Sequence, residues 1–344
     1  MLLTKSVNRV VHYHQPVGLS TLFRPLPKVK GGTRPPLDVT YQASNGGPVL
    51  RFSAKAALGI PEQTLLLVLL ELAQERFVDL LSEAVVSANT ENEIGRTLWS
   101  QLHQGWRNDG EQTLMLATTW YDLNRRCGSQ TGGTTQSMRE QQLERLCEVI
   151  VWEHAGDAKK TRRQSYLVAW LIGDDERIHL ALNCRLASAI LGQPYSQVSI
   201  VERLSLQSDV QMALHAFLST TIAVGKTLKI GVERLIERLW PSGADTVHSS
   251  THRSRRGDVK AGLDAVGRLA GWSVQWERND LAAVSRLRPG VADMTSHNGN
   301  KTSSYRQRPL PIIINKNNGL GSFDASVLFF NSESATLQAA HPTA

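Results

Sequence analysis

Between residues 250 and 276 the apolar positions change from the period of a helix to that of a strand. Val259, Leu263, Val266 and Ala270 recur at i, i+4, i+7 and i+11, one face of a helix. Trp272, Val274 and Trp276 then alternate with polar residues, as a half-buried strand does. Leu281 to Leu287 returns as a second strand across Arg278-Asn279-Asp280. Upstream, Leu206, Val210, Ala213 and Phe217 mark an amphipathic helix and Thr227-Leu228-Lys229-Ile230 a short strand. Val232, Leu235, Ile236 and Leu239 mark a further helix, stopped by Pro241. Helix, strand, helix, helix and hairpin in that order predict a winged helix-turn-helix over 184–288.

The stretch 37–183 predicts the same order from weaker signals. Leu37 to Tyr41 and Val49 to Ser53 alternate around Ser44-Asn45-Gly46-Gly47-Pro48, a hairpin with its turn. Pro61 opens an apolar helix to about residue 76, at the position where its missing N–H costs nothing. Residues 78–118 predict no more than scattered strands. Trp120 to Cys127 predicts a short helix, Gly128 to Gly133 a turn, and 134–148 a helix with Leu143, Leu146, Cys147 and Ile150 on its inner side. Val149 to Trp152 and Tyr166 to Leu171 are strand-like and bracket the basic loop 157–163, read as a wing.

The fold class expected is therefore α+β, two tandem winged helix-turn-helix domains at 37–183 and 184–288. The five prolines of residues 1–36 predict a flexible, extended N-terminal arm. The Ser, Asn, Gly and Thr of 289–344 predict a mostly disordered tail.

Charge adds a partner class. Among 344 residues, 38 Lys and Arg outnumber 31 Asp and Glu, a net +7 that favours polyanions. The surplus falls where a winged helix meets duplex DNA. On the 250–270 helix, Arg253, Lys260 and Arg268 are the candidate groove contacts. Arg255 and Arg256 angle toward the packed side and suit phosphates at the groove edge. On the 134–148 helix the outward candidates are Thr134, Ser137, Gln141 and Arg145, with Lys159, Lys160, Arg162 and Arg163 of the wing on phosphates.

Other chemistries are weaker. Cys127, Cys147 and Cys184 are odd in number and lack the paired spacing of a zinc site, so reduced thiols, no metal and no cofactor are expected. No run approaches the roughly 18 apolar residues of a membrane span, so a cytoplasmic protein without a membrane partner is expected. His12-Tyr13-His14 with Tyr121 would suit a rolling-circle nicking enzyme, two metal ligands and a nucleophile, but Pro16 follows within a Pro-rich setting. Gly225-Lys226-Thr227 ends like a P-loop, yet the first Gly that motif needs is Thr220. A non-enzymatic DNA-binding protein is the expectation. A transcriptional repressor of the same fold is the main alternative.

Several segments resemble, in order and spacing, the replication initiators of broad-host-range IncQ-type plasmids, the RepC family. They are Leu37-Asp38-Val39-Thr40-Tyr41, Arg51-Phe52-Ser53, Leu180-Ala181-Leu182-Asn183, Val198-Ser199-Ile200, Leu239-Trp240-Pro241-Ser242, and Gly271-Trp272 with Val274 after the Arg-rich helix. His12 to Pro16 and Leu22 to Arg24 share the family's character. The similarity spans about 10–290 in patches; 78–118 does not follow the family closely, and 291–344 extends past its usual end. The resemblance implies a tandem winged-helix protein that binds directly repeated iterons in duplex origin DNA, melts an adjacent A·T-rich segment and helps load a plasmid-encoded helicase. A plasmid primase is the further partner implied, and a homodimer is compatible with it. Two recognition helices in successive major grooves would cover about 20 base pairs.

Overall fold

The computed structural model describes residues 9–26, 33–42, 49–80, 83–103, 111–130, 132–154, 162–241 and 249–287. In chain order its elements are β1 (Val10–His14), α1 (Gln15–Leu19), β2 (Leu37–Gln42), β3 (Val49–Ala54), α2 (Ile60–Leu80), β4 (Val85–Val86) and α3 (Glu93–His103). Next come β5 (Thr113–Thr118), α4 (Trp120–Arg126), α5 (Gly133–Cys147), β6 (Ile150–His154), β7 (Arg162–Tyr166), β8 (Val168–Ile172) and β9 (Ile178–Leu182). The rest are α6 (Cys184–Ser188), β10 (Tyr195–Ser199), α7 (Ile200–Ser205), α8 (Asp209–Thr221), β11 (Lys226–Gly231), α9 (Val232–Leu239), α10 (Ser249–Gly267), β12 (Trp272–Trp276) and β13 (Leu281–Arg286).

The second half builds a three-stranded antiparallel sheet, order β11-β13-β12, against α8, α9 and α10. The first half repeats that plan. β5, β9 and β8 pair in the same sense, with α4 and α5 between β5 and β8 and the short β4 added at the edge. All five residues of β9 are buried because helices cover both faces. Leu180 and Leu182 face the main core, where Leu65 to Leu70 of α2 are fully buried, while Ala181 faces Leu98 and Leu102 of α3. A helix apolar on most sides belongs at such a centre. The segment 78–118 thus holds α3 as well as strands, contrary to the expectation of scattered strands alone. Its Ile94, Leu98 and Leu102 recur every four residues against the sheet.

Two further expectations need correction. The arm is not free over residues 9–26: Val11 and Tyr13 are fully buried on β1, which pairs antiparallel with β10, and Val17, Leu22 and Phe23 continue into the core. Period-2 alternation at Val11 and Tyr13 finds its strand partner late in the chain, and Pro16 sits harmlessly in the first turn of α1. The wing of the first half is also misplaced. β6 and β7 are an insertion that joins the hairpin β2-β3 in a separate four-stranded sheet, order β2-β3-β6-β7. The hairpin equivalent to β12-β13 is β8-β9, whose turn carries Asp174, Asp175 and Glu176. Two adjacent short strands, parted at Leu167, read from the sequence as one.

The expected boundary at 183/184 falls at Asn183, which caps α6 and donates to Ser165 Oγ at 2.9 Å and the Tyr166 carbonyl at 2.7 Å. One hydrophobic cluster runs through residues on both sides of it. The expected tail, 289–344, lies outside the described residues, as do Lys159 and Lys160. Among the described residues no helix is long and apolar enough to cross a membrane.

Candidate nucleic-acid interface

The basic face is built on α10. Val259, Leu263 and Val266 are buried, and a Cβ at Gly262 would lie 2.6 Å from Leu214 Cδ1, so α10 and α8 meet there at close range. α8 is fixed in turn by a capping box between Ser208 and Gln211. Helix α10 stops at Gly267, and Gly271 takes the left-handed conformation, φ +84°, that turns the chain into β12. Ala270 and Arg268 therefore lie past the helix. Arg268, expected on it, is an exposed residue of the following turn.

Ion pairs sort the remaining basic residues. Arg253 is exposed and has no ion-pair partner among the described residues. The Arg255 guanidinium lies 5.1 Å from the centroid of the Trp240 ring, a cation–π contact on the packed side. Arg256 donates to Glu233 of α9 at 2.7 Å and also pairs with Asp280, while Lys260 reaches the other Asp280 oxygen at 2.8 Å. His252 approaches Glu233 at 2.9 Å, and Trp276 Nε1 donates to Asp264 of α10 at 2.8 Å. The face is thus a helix laced to α9 and to the β12–β13 turn through carboxylates. Such part-exposed pairs contribute little to stability, so a phosphate can take their place. Arg278, exposed beside Asp280 at the tip of that turn, is a cation that sequence reasoning left out of the site. Its signal was a hairpin turn with a basic residue next to Asn279 and Asp280, which hold positive φ of 61° and 54°.

The α5 face differs. Thr134, Ser137 and Gln141 are exposed, as expected. Arg145 is not available: its Nε donates at 2.8 Å to Glu62, a fully buried carboxylate that also receives Arg34 at 3.0 Å and the Gly59 N–H at 2.8 Å. Arg139 is buried as well, donating to Gln142, Ser129 and Asn124. Helical angle places Arg145 outward, but α2 lies against that side of α5 and offers the buried Glu62 carboxylate, which Arg145 and Arg34 share. Both arginines of α5 therefore serve the fold, and its outer face is neutral to acidic. Arg162 and Arg163 fall on β7, in the inserted sheet.

The residues of the nicking reading are not assembled as a metal site. His12 stacks on Tyr195 with centroids 3.6 Å apart, and burial and the nearby Arg185 lower His14 to about 4. Neither belongs to a group of three potential metal ligands among the described residues. Tyr121 is exposed on α4. Gly225, φ +82°, turns the chain directly into β11 at Lys226, leaving no phosphate-binding loop there.

By its architecture this is an α+β chain in which a basic helix rests on an antiparallel hairpin sheet. The chain belongs to the Replication protein C (RepC) family, whose model matches residues 5–286. No curated protein matches it. Among solved structures it is similar to domains 2 and 3 of RctB. A selenomethionine crystal structure of those domains is 10% identical with a TM-score of 0.46, over 77% of this chain and 94% of that one. A second RctB crystal structure is 10% identical with a TM-score of 0.45, over 78% and 95%.

Proposed function

We propose that this RepC-family protein is a plasmid replication initiator that binds directly repeated iterons through two winged helix-turn-helix units. The observation that carries the reading is the repeated order β5-α4-α5-β8-β9 and β11-α9-α10-β12-β13, each with its last strand at the centre of the sheet. In such a unit the second of the paired helices enters the major groove and the hairpin turn lies over the backbone. α10 is then the main reader, with Arg253 and Lys260 toward the groove. Arg255, Arg256, Arg268 and Arg278 reach phosphates at its edges. α5 contributes neutral readers, Thr134, Ser137 and Gln141. Lys159, Lys160, Arg162 and Arg163 would contact phosphates from the inserted hairpin.

Two unlike units in one chain suit an asymmetric, directly repeated site, whereas a repressor on a palindrome needs a two-fold pair of like units. The protein would act without catalysis of its own. Melting of an A·T-rich segment and recruitment of a plasmid helicase and primase would follow binding, in the cytoplasm. Nuclease footprinting of the full chain on the origin of its own replicon tests this reading. Protection of direct repeats at a regular helical interval supports it; protection confined to a palindrome favours the repressor.

A further inference from the structure

Outside the basic face, three donor side chains from separate parts of the chain converge beside the sheet of the first half. They are His103, the last residue of α3; Glu111, just before β5; and Cys184, the first residue of α6. One donor atom from each lies within 4.8 Å of the others, and no other such group occurs among the described residues. His103 Nε2 is 3.4 Å from Cys184 Sγ and 3.9 Å from a Glu111 oxygen.

We propose that His103, Glu111 and Cys184 bind a divalent transition-metal ion of the zinc type. The orientation of the imidazole is the first argument. Its Nδ1–H donates to the Trp99 carbonyl at 3.0 Å, and the Trp99 ring stacks on it at 3.9 Å, which fixes the tautomer and leaves the Nε2 lone pair facing the sulfur and the carboxylate. A backbone carbonyl holding the far nitrogen is the usual support of a metal-bound histidine.

Chemistry is the second argument. One thiol, one imidazole and one carboxylate form a borderline-soft set that suits zinc or its congeners and excludes magnesium or calcium, which take oxygen alone. Tetrahedral zinc holds its donors about 3.3–3.8 Å apart, so the observed separations need only small side-chain adjustment. Water would fill the fourth position. Binding releases the thiol proton to solvent and places a cation between two groups that would otherwise repel as anions.

A bound metal would staple the C-terminus of α3 to the strand ends it covers. It would also join the two ends of the segment between residues 103 and 111. The sequence hid the set because its ligands come from three elements and share no short motif.

The test uses full-length, untagged protein stripped with a chelator and titrated with cobalt(II). The expected result is a thiolate-to-cobalt charge-transfer band that saturates at one ion per chain, together with a higher Tm. Cys184→Ser should lose the band, whereas Cys127→Ser and Cys147→Ser should keep it. Glu111 is part-exposed and glutamine keeps its size, so Glu111→Gln should fold, as its unfolding curve would show, and should weaken cobalt binding even if the cysteine variant fails to fold. Absence of a band in the wild-type protein, a band that survives Cys184→Ser, or unchanged affinity in Glu111→Gln overturns the proposal.

Discussion

Asp280, in the turn between β12 and β13, accepts Lys260 Nζ of α10 at 2.8 Å and pairs with Arg256 through its second oxygen. The hairpin turn and the basic helix are thus tied by a single carboxylate at the surface proposed for DNA. That carboxylate neutralises two cations in the free protein and would compete with a phosphate for them. Asp280→Asn keeps a residue that tolerates its φ of 54° and removes the charge. Duplex affinity should rise for all sequences alike, and the salt dependence should steepen by about one unit as Lys260 becomes free for a phosphate, Arg256 still being held by Glu233. Anisotropy titrations at several salt concentrations measure both; unchanged or weaker binding would place the backbone away from this turn.

Arg253 carries no competing carboxylate among the described residues, so its full charge is available. Arg253→Ala should weaken specific and nonspecific duplexes together if the residue meets a phosphate, lowering the salt slope by about one unit. A loss confined to the specific site would assign it to a base edge instead.

Arg145 gives the opposite expectation. Its guanidinium holds the buried Glu62 carboxylate, with Arg34 and the Gly59 N–H as the remaining donors. Arg145→Ala should therefore cost about 2 kcal/mol in denaturant unfolding while DNA affinity of the folded protein is unchanged. A specific loss of DNA binding at full stability would return Arg145 to the recognition surface.

Acid should destabilise the fold through its buried and half-buried histidines. Burial and the Arg185 charge bring His14 down from its ordinary 6.5 to about 4. Between those values the unfolded chain takes up a proton that the folded chain refuses. Stability is therefore retained above about pH 6.5 and falls as pH drops toward 4. Burial lowers His12, His103 and His215 as well, in the same direction. His14→Gln should flatten this part of the stability profile measured by urea unfolding; an identical slope would mean that His14 titrates normally.

From Leu206 onward the elements were legible because each carries its own period, whereas α6, β10 and α7 were not read. α8, α9 and α10 have apolar residues three and four apart, and Trp272, Val274 and Trp276 alternate. β9 and α2 lose their periodicity because they are covered on both sides, and the sequence alone did not tell β8 from β7 across Leu167. β1 carries no proline itself, but the prolines that follow it from Pro16 onward masked it, and its pairing with β10 is a long-range fact. In the candidate site, residue type identified the cations of α10 but not their partners. Whether an arginine faces DNA or a buried Glu62 depends on a helix more than sixty residues away in the chain. The C-terminal end of α10 falls short of the expected residue 270 for a local reason: the helix stops at Gly267 and Gly271 turns the chain into β12.

Sequence-specific recognition of repeated duplex DNA is the central claim, and equilibrium anisotropy tests it most directly. The full chain would be titrated into a labelled duplex carrying the direct repeats of its own replicon and into a scrambled duplex, at two salt concentrations. The account predicts a preference of about a thousandfold or more for the repeats. Equal, steeply salt-sensitive affinity for both duplexes would contradict it and leave a basic surface that binds nucleic acid by charge alone.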